Sequence, residues 1–301
     1  MRTIAFTLAL CLLTGLGLAN GPALARAAGH LTVAATIEPQ AYFLRKVGGE
    51  RVDIVTLVPA GADPHVYEPK PGQMKALAKA AAYFSVGLEL EEAWLPKFRA
   101  ANPAMLVVPT DAGIAKSPMA EEEPEAGHGH GKEEHQHGLL DPHVWLSPAL
   151  AKIQAATMRD ALARLDPSGA DEYAANYATF AAECDALARD LAVLLADLPS
   201  REFMVFHPSW GYYARDFGLT QVSIEVEGKE PSPKMLRHIV DQGREHGIKA
   251  IFVAPQFSRR TAQVVAQEIG AVLVEADPLA DDWADNLRRV ARSLAVAATR
   301  K

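Results

Sequence analysis

Cysteine is scarce: only Cys11 and Cys184 occur in 301 residues. Cys11 lies in an apolar run, Ile4 to Ala19, which follows Arg2 and precedes Ala23-Leu24-Ala25 and Ala25-Arg26-Ala27. That is the pattern of a secretory signal ending in an A-x-A cleavage site, here assigned to residues 1–27. With the signal removed Cys184 stands alone, so no disulfide is expected within the exported chain. Leu10 occupies the place where a lipid-modified cysteine needs a small residue before it, so a soluble exported protein is expected. Long hydrophobic runs are also missing. Thr14, Gly15 and Gly17 interrupt the leader, and it falls short of the ~20 apolar residues of a spanning helix. Basic charge is the minority: 30 Lys and Arg face 37 Asp and Glu, a formal −7. Loss of Arg2 and Arg26 with the signal makes it −9. No segment gathers basic residues, which excludes nucleic acid as a partner. Neither H-E-x-x-H nor Gly-x-Ser-x-Gly occurs, so the commonest zinc-protease and serine-hydrolase signatures are absent.

What is present is a repeated alternation. About 270 residues remain after the signal, more than one domain usually holds. Short apolar runs predict strands at Leu31–Ile37, Arg51–Val58, Ala82–Val86 and Met105–Pro109, with helices at Gln40–Val47, Gly72–Ala80 and Glu89–Ala101. A second set follows, with strands at Phe203–His207, Gln221–Ile224, Ala250–Ala254 and Ala271–Glu275. Its helices fall at Trp210–Phe217, Pro233–His246, Arg260–Ile269 and Trp283–Ala297. Apolar strands with helical crossovers predict short parallel sheets covered on both faces. The fold expected is therefore α/β, with an N-terminal lobe over 28–170 and a C-terminal lobe over 199–301. Asp171 to Leu198 has no helix breaker, begins after Asp166-Pro167-Ser168-Gly169 and stops at Pro199-Ser200. It predicts one long helix, about 42 Å at 1.5 Å per residue, joining the lobes as a rigid strut.

Four of the ten histidines, His128, His130, His135 and His137, lie with six glutamates and four glycines between Glu121 and Gly138. Such composition cannot build a core, so residues 118–139 are expected to be a mobile loop inside the first lobe. Clustered imidazoles on a flexible chain suit auxiliary capture of zinc, copper or nickel. Three other histidines follow strands or precede a helix. His65 lies in Gly61-Ala62-Asp63-Pro64-His65-Val66-Tyr67-Glu68-Pro69, His143 in Asp141-Pro142-His143-Val144-Trp145, and His207 in Phe206-His207-Pro208-Ser209-Trp210. Asp277 ends the last predicted strand before Pro278-Leu279. Ligands of open α/β sheets bind beyond the carboxyl ends of the strands, which makes these four the candidate ligands. Asp63, Glu68 and Asp141 are candidates to hold the second ring nitrogen of a ligating histidine.

These motifs, with His207 inside F-H-P-S-W-G-Y and Asp277 in D-P-L, resemble the cluster A-I substrate-binding proteins of ABC transporters for zinc and manganese. The resemblance covers Val33 to about Arg292, and the acidic histidine-rich insertion before D-P-H-V-W is similar to that of the zinc-specific branch. It implies a two-lobed receptor with a long backbone helix, and a periplasmic monomer working with a membrane permease is expected; a closed coordination shell with no open position for substrate argues against an enzyme. It also implies one metal in the interlobe cleft, held by His65 and His143 from the first lobe and His207 and Asp277 from the second. Three imidazoles and a carboxylate suit Zn(II), the expected cargo, with Zn–N near ~2.0–2.1 Å. Manganese-specific relatives look similar but carry glutamate in place of His207. The fourth position stays open between Asp277, another carboxylate and water. Manganese or broad divalent binding, a zinc buffer and a metallohydrolase are the alternatives.

Overall fold

The computed structural model describes residues 30–119, 140–225 and 229–299. The expected signal, His128, His130, His135 and His137 lie outside the described residues. The first sheet holds β1 (Leu31–Ala35), β2 (Val52–Thr56), β3 (Ala82–Ser85) and β4 (Leu106–Pro109), all parallel, in the order β2-β1-β3-β4. Helices α1 (Glu38–Gly48), α2 (Pro71–Leu77) and α3 (Glu89–Ala101) connect its strands. Next come α4 (Pro148–Leu165) and α5 (Ala170–Leu194), separated by a short 3-10 turn. The second sheet holds β5 (Glu202–Val205), β6 (Thr220–Ser223), β7 (Ala250–Val253) and β8 (Val272–Glu275), parallel in the order β6-β5-β7-β8. Its helices are α6 (Gly211–Asp216), α7 (Pro233–Glu245), α8 (Arg259–Ile269) and α9 (Trp283–Ala298).

The two sheets thus repeat one topology. In each, the chain steps to one side of the first strand and then returns to its other side, and that reversal opens a crevice beyond the carboxyl ends. Strands β3, Ala-Tyr-Phe-Ser, and β7, Ala-Ile-Phe-Val, are buried at every residue, as central strands covered by helices on both faces should be.

Helix α5 spans 25 residues, about 38 Å, and ends four residues before the predicted Leu198. Arg201 explains the early stop. Its guanidinium donates to the carbonyls of Leu195 at 3.1 Å and Ala196 at 3.5 Å, satisfying carbonyls freed at the helix end. The helix is not a bare strut: it packs against α4 and α1 and also against α9. One hydrophobic core consequently runs through both lobes, from Val33 and Phe43 past Phe180 and Leu187 to Trp283 and Leu294. Smaller cores fill the outer sides of the two sheets.

Candidate metal centre

His65 is carried by the loop after β2. The loop leaves the sheet once Leu57 and Val58 have donated to the carbonyls of Ala35 and Thr36, and Asp63 Oδ1 then accepts the His65 N–H at 2.9 Å. His143 precedes the short turn Val144–Leu146 that leads into α4, where Ser147 caps the helix through Leu150 N–H at 3.2 Å. His207 lies two residues past β5, after Phe206 N–H has made its bond to the carbonyl of Phe252.

These three imidazoles meet. Ring centroids lie 5.6 Å apart for His65 and His143, 4.9 Å for His65 and His207, and 5.2 Å for His143 and His207. One nitrogen from each lies within 4.8 Å of the others. Each ring is turned by a carboxylate on Nδ1: Glu89 at 2.8 Å from His65, Asp141 at 2.7 Å from His143, Glu225 at 2.6 Å from His207. A carboxylate only accepts, so Nδ1 carries the proton and Nε2 keeps its lone pair. Nε2 of both His65 and His207 is buried without a hydrogen-bond partner among the described residues. They face a cavity of about 10 Å³, walled by the three histidines with Pro64, Trp145, Gln256, Phe257, Pro278 and Leu279. That space suits an ion; organic ligands occupy about 300 Å³ or more.

Asp277 is not in the group of side chains whose ligand atoms lie within 4.8 Å of one another. Its Oδ1 is already engaged, accepting from Gln256 Nε2 at 2.8 Å and from Leu279 N–H at 2.9 Å. Of the carboxylates weighed for ring support, Asp141 alone serves. Asp63 bonds backbone, and Glu68 is exposed. Glu89, Glu225 and Gln256 were not singled out from the sequence.

The electrostatics differ around the ring of three. Burial pushes His143 down to about 4, against the charge and hydrogen bond of Asp141, so it is neutral at neutral pH. At His65 burial also pulls downward, but Glu89 raises it by hydrogen bond and charge, and the net shift is upward. The His65 hydrogen bond in turn brings Glu89 down to about 2. Side-chain exposure is 3% for His143, 9% for His207 and 18% for His65, so the rings are reached from the His65 side.

The family model described as ZnuA, zinc-uptake complex component A, periplasmic, matches residues 33–297. The chain belongs to this family. A crystal structure of ZnuA is 43% identical with a TM-score of 0.82, covering 89% of this chain and 99% of that one. A ZnuA deletion mutant with zinc bound matches at the same identity and TM-score over 90% of this chain and 99% of its own. The zinc-binding protein AdcA of Streptococcus pyogenes serotype M3 is 30% identical over 84% of this chain. The chain spans about half, 51%, of that relative's length. As a family member the chain is a zinc-binding, substrate-binding component of zinc uptake. Among the described residues no helix is long and apolar enough to cross a membrane.

Proposed function

We propose that this chain carries one Zn(II) between its lobes on Nε2 of His65, His143 and His207, and delivers it to the permease of an ABC importer. The observation that carries the reading is the convergence of three imidazoles, each with Nδ1 held by its own carboxylate, on an ion-sized cavity. Nitrogen donors at this number and spacing suit zinc better than manganese, which prefers oxygen. Tetrahedral zinc with Zn–N of ~2.0–2.1 Å sets its nitrogens about 3.3 Å apart, so metal entry draws the three rings together by an ångström or so. Zinc and protons compete for His65 Nε2, and Glu89, which raises the affinity of His65 for a proton, strengthens that competition.

The same reading gives 1–27 as an export signal, 28–170 and 199–301 as the lobes, and 171–198 as their link. His128, His130, His135 and His137 act as an auxiliary capture loop, and none of these residues is assigned a catalytic role.

The test is metal content and competitive zinc titration on chain 28–301, on the same chain lacking 121–138, and on His143→Ala. One tight zinc per chain in the first two, lost in the third, is expected. Loss of all tight binding on loop deletion would move the function to the loop and make the chain a buffer.

A further inference from the structure

Gln256 stands on the wall of the same cavity, and its amide is arranged as the histidines are. Nε2 donates to Asp277 Oδ1 at 2.8 Å. Because a carboxylate only accepts, this bond fixes which end of the amide is nitrogen and turns the oxygen away from Asp277. That oxygen, Oε1, is buried and has no hydrogen-bond partner among the described residues. Seven buried side-chain atoms among the described residues lack a partner; three of them, His65 Nε2, His207 Nε2 and Gln256 Oε1, belong to residues lining this one cavity. Unpaired buried acceptors are unfavourable, and a cation in this cavity is the kind of partner such acceptors lack. Asp277 itself is held in place: Oδ1 also accepts from Leu279 N–H at 2.9 Å, and its carbonyl accepts from Asn286 Nδ2 at 2.6 Å.

We infer that Gln256 Oε1 is the fourth donor to the metal, and that Asp277 orients it without touching the metal. The inference rests on the cleft reading above and deepens it. Each of the four donors then has a carboxylate behind it: Glu89 for His65, Asp141 for His143, Glu225 for His207 and Asp277 for Gln256. The donor shell is three nitrogens and one oxygen, all uncharged. The full charge of the cation is left to be balanced by the outer carboxylates, which a receptor that must later surrender its cargo can accommodate. Asp277 as a direct ligand would instead place a negative charge on the metal.

The experiment compares wild type, Gln256→Ala, Asp277→Ala, the double variant and Gln256→Glu. Zinc affinity is measured by chelator competition, and the visible bands of the Co(II)-loaded forms report donor set and coordination number. Thermal melting of the metal-free variants checks that each is folded. Gln256→Ala is expected to lose roughly 10–100-fold in zinc affinity and to shift the cobalt bands. Asp277→Ala should weaken binding in the same direction by a smaller factor. The double variant should be no weaker than Gln256→Ala alone, because the two residues act as one unit. Gln256→Glu keeps an oxygen donor but gives up the N–H held by Asp277, so it should retain more zinc affinity than Gln256→Ala. If Gln256→Ala binds as well as or better than wild type while Asp277→Ala loses affinity, Asp277 is the ligand and Gln256 only its latch. If neither changes affinity or cobalt bands, solvent fills the fourth place; both results overturn the inference. Full zinc binding by His143→Ala would instead sink the cleft reading itself.

Discussion

A histidine is a well-aimed ligand only when its second nitrogen is engaged, and at this site that work falls to three carboxylates at very different distances along the chain. Asp141 is two residues from His143, whereas Glu225 is 18 from His207 and Glu89 is 24 from His65. That spacing explains what was legible beforehand. The three histidines stand in local motifs at loops, and Asp141 shares the motif of its partner. Glu89 and Glu225 meet their histidines only when a later segment of the lobe folds beside the earlier loop. Asp277 reads as a ligand because it ends a strand; on the folded chain its Oδ1 accepts from Gln256 and Leu279, partners that sequence spacing does not reveal. The same residues set a pH dependence. His143 titrates near 6.5 when unfolded and at about 4 in the fold, because burial disfavours its charge. Unfolding in that window therefore takes up a proton, so the stability contribution is complete above pH 6.5 and lost as pH falls through 4. The full loss is about 3 kcal/mol. The raised His65 acts above this window, its contribution fading as pH rises through its folded value, and Glu89 acts below the ordinary 4.5 of its carboxyl. Denaturant unfolding of metal-free protein between pH 4.5 and 6.5 should show stability rising with pH, and a His143→Leu variant should lose that slope. An equal slope in the variant would remove His143 as its source.

At the scale of elements, the strands and most helices were legible because buried parallel strands are continuous apolar runs and the crossovers carry helical spacing. Helix α3 occupies its predicted span, Glu89–Ala101. Strands begin or end within a residue or two of the apolar runs. The systematic difference is at the carboxyl ends: β5 stops at Val205, because the chain must turn there for His207 to face the cleft. What sequence could not express is which elements bridge the lobes. Helix α9 belongs to the second lobe, yet its Trp283 ring lies 5.0 Å from Phe43 and 5.8 Å from Tyr42 of α1, and 6.1 Å from Phe180 of α5. Its indole N–H donates to the carbonyl of Trp145 at 2.7 Å, two residues beyond His143. Trp283→Ala should destabilise the metal-free protein by about 3–5 kcal/mol, the cost of emptying a large buried aromatic site. An unfolding free energy from chemical denaturation within about 1 kcal/mol of wild type would show that α9 is dispensable to the joint core.

For the molecule as a whole, the question is how far two lobes can move when the metal must close three rings by only an ångström. The site is built across the lobes, and so are its fastenings. Tyr212, from α6, donates its hydroxyl to the carbonyl of Asp141 at 2.9 Å and accepts from Ser117 N–H at 3.0 Å. Trp145 donates its indole N–H to the carbonyl of Pro278 at 2.7 Å, and Ser147, the cap of α4, bonds Asp216 at the end of α6. Asp141 also lies so close to Gly211 that a Cβ there would meet its Oδ2 at 2.8 Å, so the second lobe is seated directly against a residue that orients His143. Wide hinge closure requires a few linker residues to absorb the rotation while the facing surfaces separate. Here the linker is a 25-residue helix packed on both lobes, and the facing surfaces share one core. Opening would break the bonds of Trp145, Tyr212 and Trp283 together and expose their rings to water. Metal entry and exit must then proceed through local movement of the more exposed His65 loop. Small-angle scattering of metal-free and zinc-loaded protein should accordingly give the same radius of gyration within error, while hydrogen exchange across residues 59–70 slows on zinc binding. A clear contraction on adding zinc, with exchange slowing along α5, would mean that the shared core parts in the metal-free state and that the lobes close as rigid bodies.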